Sequence, residues 1–274
     1  MRQVGILYQP KREEAVAFSH ELETFLSSRD IRIWRCSAWE PERAKQLIAG
    51  TDLLLSIGGD GTILRAARTV IPDSVPILGI NLGRLGFMAE LKASEALKKL
   101  PALLNGKGWV EERAIVEAEL PSQGRTFHAL NEVFVGRRSS ARLVTIACKI
   151  NNAALTTYRA DGIIIATASG STGYALAAGG PILHPQATEL ILMPVCAHFT
   201  FDKAVVLPAK TAIELQLTTT HEAMLSIDGQ TELQLNSGDT VRVRLSKHTV
   251  RFLRLQSKTY FYRSLDAKLK RKVA

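Results

Sequence analysis

The first hundred or so residues alternate between two patterns of hydrophobic and polar positions. Short apolar runs predict strands at residues 4–8, 31–36, 53–57 and 76–80. Apolar residues near helical spacing predict helices at residues 13–28 and 63–70. The run at 53–57 is continuously apolar, as expected of a strand whose two faces are both covered. This alternation of strand and helix predicts a parallel α/β sheet.

Beyond residue 110 the pattern becomes strand-rich. Strand-like segments occur at residues 114–120, 126–135, 143–150, 162–167, 212–217 and 240–245, and only 172–178 is typical of a short helix. Many strands with few helices predict a sandwich-like all-β domain. Proline, asparagine and glycine cluster at 100–108, which predicts the domain boundary. We therefore expect an α/β domain at 1–104, a β-rich domain at 105–255 and a basic tail at 256–274 that packs back on the body.

Composition and charge narrow the function classes. Of the 274 residues, 46% are hydrophobic and 22% are charged, which is typical of a globular protein. The net charge of +9 suggests a nucleic-acid partner, but residues 241–274 hold eleven basic residues and one acidic residue. The other 240 residues hold 24 basic and 25 acidic groups. Because the body is almost neutral, we expect no nucleic-acid partner. The absence of an apolar run of 18 residues predicts no membrane span.

The cysteines and histidines show no pattern of metal ligation. Cys36, Cys148 and Cys196 match no metal motif and are odd in number, which favours a reducing compartment. The apolar run at residues 4–8 is too short for the core of a signal peptide, so we expect a cytoplasmic protein. The six histidines also lack metal-ligand spacing, and no metal-binding residue is predicted.

The turn Gly58-Gly59-Asp60-Gly61-Thr62 follows a predicted strand and precedes a helix. Ligands bind at this position in parallel α/β folds, and free N–H groups at a helix start favour phosphate. Asp60 can either hold a divalent cation or accept a proton from a hydroxyl. No Gly-Lys-Ser/Thr follows, so the turn is not a P-loop. The alternative is a tight turn in which Asp60 caps the helix.

Two further segments combine glycine or polar residues with a strand. The loop at 81–87 (Asn-Leu-Gly-Arg-Leu-Gly-Phe) follows a predicted strand, and its aromatic residue, Phe87, suits a loop that closes over a flat ring. Asn131 and Glu132 lie inside the apolar stretch 129–135, where adjacent side chains on a strand point to opposite faces. An amide suits a base edge and a carboxylate suits ribose hydroxyls. The alternatives are an ordinary glycine loop and a turn or bulge.

The longest polar constellation runs from Asp161 to Pro181. A strand at 162–167 leads into Ser169-Gly170-Ser171-Thr172-Gly173-Tyr174, and Gly179-Gly180-Pro181 follows. Hydroxyl and N–H groups beside a helix start suit a phosphate-bearing polyhydroxyl ligand, whereas the alternative is a Ser/Thr cap on a structural helix. Asp228-Gly229-Gln230 alone is ordinary hairpin chemistry.

Together, these segments resemble the NAD kinases in order and spacing over roughly residues 55 to 230. The Gly-Gly-Asp-Gly-Thr turn is shared with diacylglycerol and sphingosine kinases, whereas the segment from Asp161 to Pro181 selects NAD kinase. The resemblance implies a Rossmann-like N-terminal α/β domain and a C-terminal β-sandwich, with the active site in the interdomain cleft. It implies phosphoryl transfer from ATP, or from another nucleoside triphosphate or polyphosphate, to the adenosine 2′-hydroxyl of NAD. Mg²⁺ carried with ATP and a homodimer or homotetramer are also implied.

The resemblance also implies roles for individual residues. Asp60 would be the catalytic carboxylate and would also contact NAD, and it lies in a phosphate-donor loop formed by Gly58, Gly59, Asp60, Gly61 and Thr62. Asn131 and Glu132 would hold the adenosine, and Asp161 would contact the nicotinamide half. The remaining residues implied in NAD binding are Gly61, Arg65, Phe87, Arg142, Arg159, Ser169, Thr172, Gly173, Tyr174, Ala175, Leu176, Ala177 and Gln230.

Two departures from the family pattern bear on these roles. Ala177 stands where members often carry a serine that meets adenine, and Asp202-Lys203 stands where many carry Arg-Pro after a histidine equivalent to His198. Two other functions remain open at this point. One is a lipid kinase that shares the Gly-Gly-Asp-Gly-Thr turn, and the other is a non-catalytic NADP sensor or nucleic-acid binder.

Overall fold

The computed structural model describes residues 1–83, 86–138, 142–198 and 201–270, without the side chain of Lys270. The chain divides into two compact units. Unit 1 comprises residues 1–112 and 250–274, and unit 2 comprises residues 113–249. Residues 105–112 and 250–255 thus group with unit 1, whereas their sequence pattern places them in the β-rich part. Unit 1 is therefore built from two separate stretches of chain.

The strands and helices are numbered in chain order. The strands are β1 Gln3–Tyr8, β2 Arg32–Ser37, β3 Leu53–Ile57, β4 Ile77–Asn81, β5 Leu91–Lys92, β6 Trp109–Leu120, β7 Arg125–Ala129, β8 Glu132–Arg137, β9 Val144–Ile150, β10 Ala153–Ala160, β11 Gly162–Ala166, β12 Leu190–Val195, β13 Val205–Leu207, β14 Ala212–Thr218, β15 Ala223–Ile227, β16 Thr231–Leu235 and β17 Thr240–Arg254. The helices are α1 Glu13–Ser27, α2 Pro41–Leu47, α3 Asp60–Thr69, α4 Ala93–Leu104, α5 Tyr174–Ala177 and α6 Tyr260–Lys270.

Unit 1 is a parallel sheet flanked by helices, as the alternating pattern predicts. Strand β1 pairs in parallel with β2 and β3, and β4 pairs in parallel with β3 and β5. Phe252, near the end of β17, pairs in parallel with Ile77. All five residues of β3 are buried, which confirms a strand covered on both faces. The α/β part of the predicted fold class is confirmed.

Three helices of unit 1 differ from the prediction. The helix predicted at 63–70 begins at Asp60, because the extended Gly59 is its N-cap and Thr62 N–H already donates to Gly59 O. Helix α2 was not predicted, since its seven residues start at a proline and bury only Ala44. Helix α4 was not predicted either, and it contains a proline in its interior.

Unit 2 contains two antiparallel groups of strands around one core. One sheet has the order β13-β12-β11-β8-β15-β16, and the strands β10, β9 and β14 form a second antiparallel run with β17. Residues from both groups, such as Val133, Ile163, Ile213 and Val243, share a single hydrophobic cluster. This arrangement confirms the predicted β-sandwich and therefore the α/β plus all-β fold class.

Several details of unit 2 correct the prediction. The strand predicted at 126–135 is interrupted at residues 130–131, so Asn131 precedes β8 instead of lying within it. The helix predicted at 172–178 is a 3₁₀ turn at Gly170–Thr172 followed by the short α5. Strands β10, β12, β13, β15 and β16 were not predicted: β10 and β16 carry many polar residues, β13 has only three residues, and β12 and β15 are short, mostly apolar runs without the alternation of a half-buried strand. Of the helices that the structure describes, none is long and apolar enough to cross a membrane.

Candidate functional site

The turn between β3 and α3 sets the position of Asp60. Gly58 has φ +153°, a conformation that side chains rarely adopt, and a Cβ there would collide with the Thr62 side chain. Gly58 N–H donates to Ile80 O over 2.9 Å, which ties the turn to β4. Asp60 is consequently the first residue of α3, at the end of a parallel strand.

The Asp60 carboxylate faces the loop that follows β4. It accepts the N–H of Phe87 over 3.2 Å and the N–H of Met88 over 3.4 Å. A Cβ at Gly86 would lie 2.6 Å from Asp60 Cγ and closer still to its oxygens, so only glycine fits there without a shift. Asp60 is thus held by the loop at 86–88, and its carboxylate does not cap the helix. The helix-cap alternative is wrong.

Other residues of this turn and helix have different surroundings. Gly61 is exposed and Thr62 is buried. The Arg65 guanidinium lies 4.3 Å from the ring centroid of Trp39, and its buried Nε has no hydrogen-bond partner among the described residues. An arginine held on one face by an aromatic ring keeps donors for an anion.

The loop after β4 is described only in part, since Arg84 and Leu85 lie outside the described residues. Asn81 Oδ1 accepts the N–H of Gly83 over 2.8 Å, which begins the turn. The half-buried Phe87 ring lies 5.2 Å from Lys268 Nζ of α6. A basic side chain therefore already contacts the ring that was predicted to close over a flat ligand.

In unit 2 a groove of about 480 Å³ brings predicted residues together. The described residues that line it are Glu132, Phe134, Arg137, Arg138, Asp161, Tyr174, Met224, Ser226, Gly229 and Glu232. They come from β8 and the residue after it, the junction between β10 and β11, α5, and the hairpin of β15 and β16. The groove thus joins Glu132 with residues of the segment from Asp161 to Pro181 and of the Asp228-Gly229-Gln230 hairpin.

Asp228 fixes the backbone of Leu130, Asn131 and Glu132. Its carboxylate accepts the three N–H groups of these residues over 3.1, 2.7 and 3.1 Å. A Cβ at Gly170 would collide with Asn131 O, so this glycine permits the close approach of the 169–174 segment. Asp228 is buried, and the sequence Asp228-Gly229-Gln230 predicts only a hairpin turn and not this structural role. A buried acid at a hairpin corner, with φ +52°, is the signal that identifies it.

Two buried side-chain oxygens in the backbone segment held by Asp228 lack a donor among the residues that the structure describes. Within the described residues, Asn131 Oδ1 and Glu132 Oε2 have no hydrogen-bond donor. Burial, and secondarily the charge of Asp228, raises the pKa of Glu132 to about 8. Since unpartnered buried polar atoms are costly, this pair points to a ligand that supplies donors.

The far part of the groove carries an ion pair that no motif marks. Arg137 Nε lies 2.7 Å from Asp161 Oδ1, and Arg137 Nη2 donates to Asp161 Oδ2 over 2.9 Å. The Tyr174 ring packs 5.7 Å from the Phe134 ring, centroid to centroid. Burial raises the pKa of Tyr174, with Asp161 adding to the effect. Arg137 therefore orients Asp161, and the sequence offers no signal for it apart from its basic character.

The hydroxyl-rich segment 169–174 contradicts part of its prediction. Ser171 Oγ donates to Ala168 O and Thr172 Oγ1 donates to Ser169 O, over 2.6 and 3.2 Å. Ser169 Oγ accepts from Arg113 over 3.3 Å. These buried hydroxyls satisfy the tight turn, so they are not all left for a ligand as predicted. In α5, Ala175 is buried, Leu176 is half-buried and Ala177 is exposed.

Three other predicted residues are not among the described residues that line this groove. Arg142 Nη1 lies 3.3 Å from His221 Nε2 beside a different surface pocket of about 520 Å³. Arg159 is exposed, and its carbonyl accepts the N–H of His198 over 2.8 Å. Gln230 lies in the hairpin turn, where its N–H donates to Ile227 O. Their part in NAD binding therefore stays a prediction, since none of the three is among the described residues that line the groove with Glu132.

Stability is expected to depend on pH through Glu132. Its pKa rises from an ordinary 4.5 to about 8 on folding, so the folded state binds more protons than the unfolded state between these values. The free energy of unfolding should therefore fall with rising pH across this window. Relative to Glu132→Gln, we expect a loss of roughly 1–3 kcal/mol. Urea unfolding of both proteins at several pH values measures it, and parallel curves would contradict it.

Two family models match the chain. One is described as the ATP-NAD kinase N-terminal domain and covers residues 11–108, and the other is the ATP-NAD kinase C-terminal domain and covers residues 130–255. Together they include the Asp60 turn and the whole groove of unit 2. Neither model describes a lipid kinase, and that alternative is not supported.

Curated relatives and solved structures agree with these models. An NAD kinase of Dehalococcoides mccartyi strain CBDB1 is 43% identical over 98% of this chain and 96% of its own length, and one of Chloroflexus aggregans is 41% identical over 99% of both. An NAD kinase from Archaeoglobus fulgidus in complex with ATP matches with a TM-score of 0.78 at 27% identity, covering 98% of this chain and 99% of that one. Yeast NADH kinase complexed with NADH shares the fold, with a TM-score of 0.85 at 24% identity over 98% of this chain and 88% of that one. The chain belongs to the NAD kinase family and is an enzyme that phosphorylates NAD.

Proposed function

We propose that this enzyme transfers a phosphoryl group from ATP to the adenosine 2′-hydroxyl of NAD, with Asp60 accepting the hydroxyl proton. The observation that carries this proposal is the orientation of the Asp60 carboxylate by two backbone N–H groups, at the start of α3. A fixed carboxylate beside a glycine turn suits a reaction that depends on positioning and charge neutralisation. Gly61 leaves room for the hydroxyl, and Gly58, Gly59 and Thr62 complete the phosphate-donor loop.

Glu132 and Asn131 are proposed to hold the adenosine. Their unpartnered buried oxygens are acceptors that match ribose hydroxyl and adenine amino donors. A Cβ at Gly173 would lie 3.2 Å from Glu132 Oε2, so this glycine keeps the space beside the carboxylate open. A ligand donor at Glu132 would favour its charged form and offset the cost of burial.

The rest of NAD is assigned to the other residues of the family pattern. Asp161, held by Arg137, is proposed to contact the nicotinamide half, with Tyr174 forming the wall. Arg65 is proposed to bind a phosphate through its unpartnered Nε. The residues proposed to shape or extend the NAD site are Phe87, Arg142, Arg159, Ser169, Thr172, Ala175, Leu176, Ala177 and Gln230.

The donor, the assembly and the location complete the proposal. The matched ATP-NAD kinase domains and the ATP complex of the Archaeoglobus fulgidus relative support ATP as donor, with other triphosphates or polyphosphate as alternatives. We also propose a homodimer or homotetramer, which sedimentation would test. Cytoplasmic location is supported by the free thiols of Cys36, Cys148 and Cys196, and cell fractionation would test it.

The first test replaces Asp60. Asp60→Asn keeps the size of the side chain but cannot accept the proton, so we expect kcat to fall by about 10²- to 10⁴-fold. Affinity for NAD should change little, because asparagine has nearly the shape of aspartate and the proposed adenosine acceptors, Asn131 and Glu132, are unaltered. The assay measures NADP formed from NAD, ATP and magnesium, with NAD binding followed by calorimetry.

The matched control for that test is Asp73→Asn, which alters an exposed aspartate in the loop after α3. It should leave kcat unchanged within about twofold, since surface substitutions are close to neutral. Wild-type activity in Asp60→Asn would contradict the proposed role. Parallel assays with polyphosphate and with a diacylglycerol acceptor separate the donor classes and retest the lipid-kinase alternative.

A second prediction concerns Gly86. Gly86→Ala places a methyl group against the Asp60 carboxylate, so either the loop or the carboxylate must move. We expect kcat to fall by roughly tenfold or more, because small misplacements of reacting groups are costly. Gly83→Ala is the matched control, since among the described residues its methyl would meet only Asn81 Oδ1, at 3.9 Å. Equal losses in the two variants would rule out the contact as the cause.

A third prediction concerns the divalent cation. Among the described residues, no group of three or more His, Cys, Asp or Glu side chains is placed to hold a metal. We propose that the ion, magnesium in our expectation, arrives with the nucleotide and neutralises its phosphates. A chelator should therefore abolish NADP formation and leave the unfolding temperature unchanged. A lower unfolding temperature in the chelator would instead indicate a resident metal.

A further inference from the structure

A buried ion cluster lies where β17 ends, in unit 1. The side chain of Arg254 is 7% exposed, and those of its two carboxylate partners, Glu90 and Glu111, are 3% and 12% exposed. Arg254 Nη1 lies 3.4 Å from Glu90 Oε2, and Nη2 donates to Glu111 Oε1 over 3.0 Å. No motif of the sequence covers these three residues, and none of them has a role in the chemistry proposed above.

The same guanidinium reaches the loop that holds Asp60. Arg254 Nη1 donates to Met88 O over 2.8 Å, while Met88 N–H donates to the Asp60 carboxylate. The Met88 residue is therefore bound on one side by Asp60 and on the other by Arg254. The path from Arg254 to the carboxylate passes through a single residue.

Glu90 fastens the other end of that loop. Its Oε1 accepts the N–H groups of Leu255 and Gln256 over 2.8 and 2.7 Å. Glu90 N–H donates to Gly79 O over 2.9 Å, which ties it to β4. The loop at 86–90 is thus fixed between β4 and the chain that follows β17.

We propose that Arg254 is a positioning residue for phosphoryl transfer, which holds Met88 so that the loop at 86–88 keeps the Asp60 carboxylate in place. This inference rests on the proposed role of Asp60. Arginine suits the task because its planar fork serves Met88 O and Glu111 from different nitrogens at once. A lysine keeps the charge but has one compact ammonium group, which cannot reproduce both contacts.

The chain offers variants that separate positioning from stability. Arg254→Lys removes the fork, whereas Glu111→Gln weakens the cluster and leaves the bond between Arg254 and Met88 intact. Arg251→Lys is the matched control on the same strand, because Arg251 pairs with the exposed Glu112 over 2.9 Å. Glu90→Gln, which is isosteric, is a second variant that loosens the loop from its other end.

The experiment combines two readouts on the full-length enzyme. Amide hydrogen exchange at Phe87 and Met88 reports the order of the loop without depending on catalysis. Steady-state kinetics with NAD and ATP, at a temperature where every variant is folded, give kcat and KM separately. Unfolding temperatures identify the stability lost in each variant.

We expect Arg254→Lys to speed exchange at Phe87 and Met88 by about tenfold and to lower kcat by about tenfold or more, with KM for NAD within about twofold. Glu90→Gln should move the same quantities in the same direction. Glu111→Gln should lose unfolding temperature but keep kcat and the exchange rates of both amides. Arg251→Lys should match the wild type.

Two results would overturn the inference. One is unchanged exchange at Phe87 and Met88 in Arg254→Lys. The other is a kcat loss in Glu111→Gln equal to that in Arg254→Lys at equal loss of unfolding temperature. The first outcome is measured by exchange, which does not depend on what Asp60 does, and the second compares two variants that both retain Asp60. Both are therefore distinct from retained activity in Asp60→Asn, which would overturn the proposed function.

Discussion

The hydrogen bonds from the N–H groups of Phe87 and Met88 to the Asp60 carboxylate join the loop after β4 to the turn after β3, and the proposed chemistry depends on them. They form because β3 and β4 are parallel neighbours, so the turns that follow both strands emerge at the same edge of the sheet. Such close approach also requires glycine at Gly58 and Gly86, where side chains would collide. A reaction catalysed mainly by position depends on this kind of fixed backbone, because little covalent work falls to the protein.

In unit 2, the carboxylate that accepts backbone N–H groups is a structural residue and not one of the proposed ligand-binding groups. There, a carboxylate belongs to the framework, since Asp228 accepts three successive backbone N–H groups. The atoms left for a ligand are Asn131 Oδ1 and Glu132 Oε2, which have no donor in the described part of the chain. Without a ligand, Glu132 bears the cost of burial as a raised pKa. The site is thus rigid in its backbone and unsatisfied in its side chains, which is the condition that favours binding.

The sequence predicts the strands of unit 1 and the Asp60 turn well, because buried parallel strands are continuous apolar runs and glycine turns are distinctive. It predicts less where long-range contacts decide. The break at Asn131 depends on Asp228, almost a hundred residues later, and the role of Arg137 depends on its pairing with Asp161. The sequence also predicts that hydroxyl groups of the 169–174 segment are free for a ligand, whereas Ser171 and Thr172 donate theirs to backbone carbonyls of the turn itself. Composition identifies donors and acceptors, but only the fold shows which are already paired.

The excess of positive charge in the last 34 residues also cannot be interpreted without knowing which charges are paired in the fold. Along β17, Arg242 pairs with Glu214, Arg244 with Glu117 and Arg251 with Glu112, over 3.3, 2.7 and 2.9 Å. Arg254 is buried against two further carboxylates. Four of the five Lys and Arg residues of β17 are therefore paired with acids from elsewhere in the chain, and without those acids the other 240 residues would carry a net positive charge. A charge counted along the sequence describes a surface field only after such pairs are removed. The most buried of these arginines, Arg254, is linked to the proposed catalytic carboxylate of Asp60 through Met88 alone. This link favours an internal, positioning role for Arg254 over an electrostatic one.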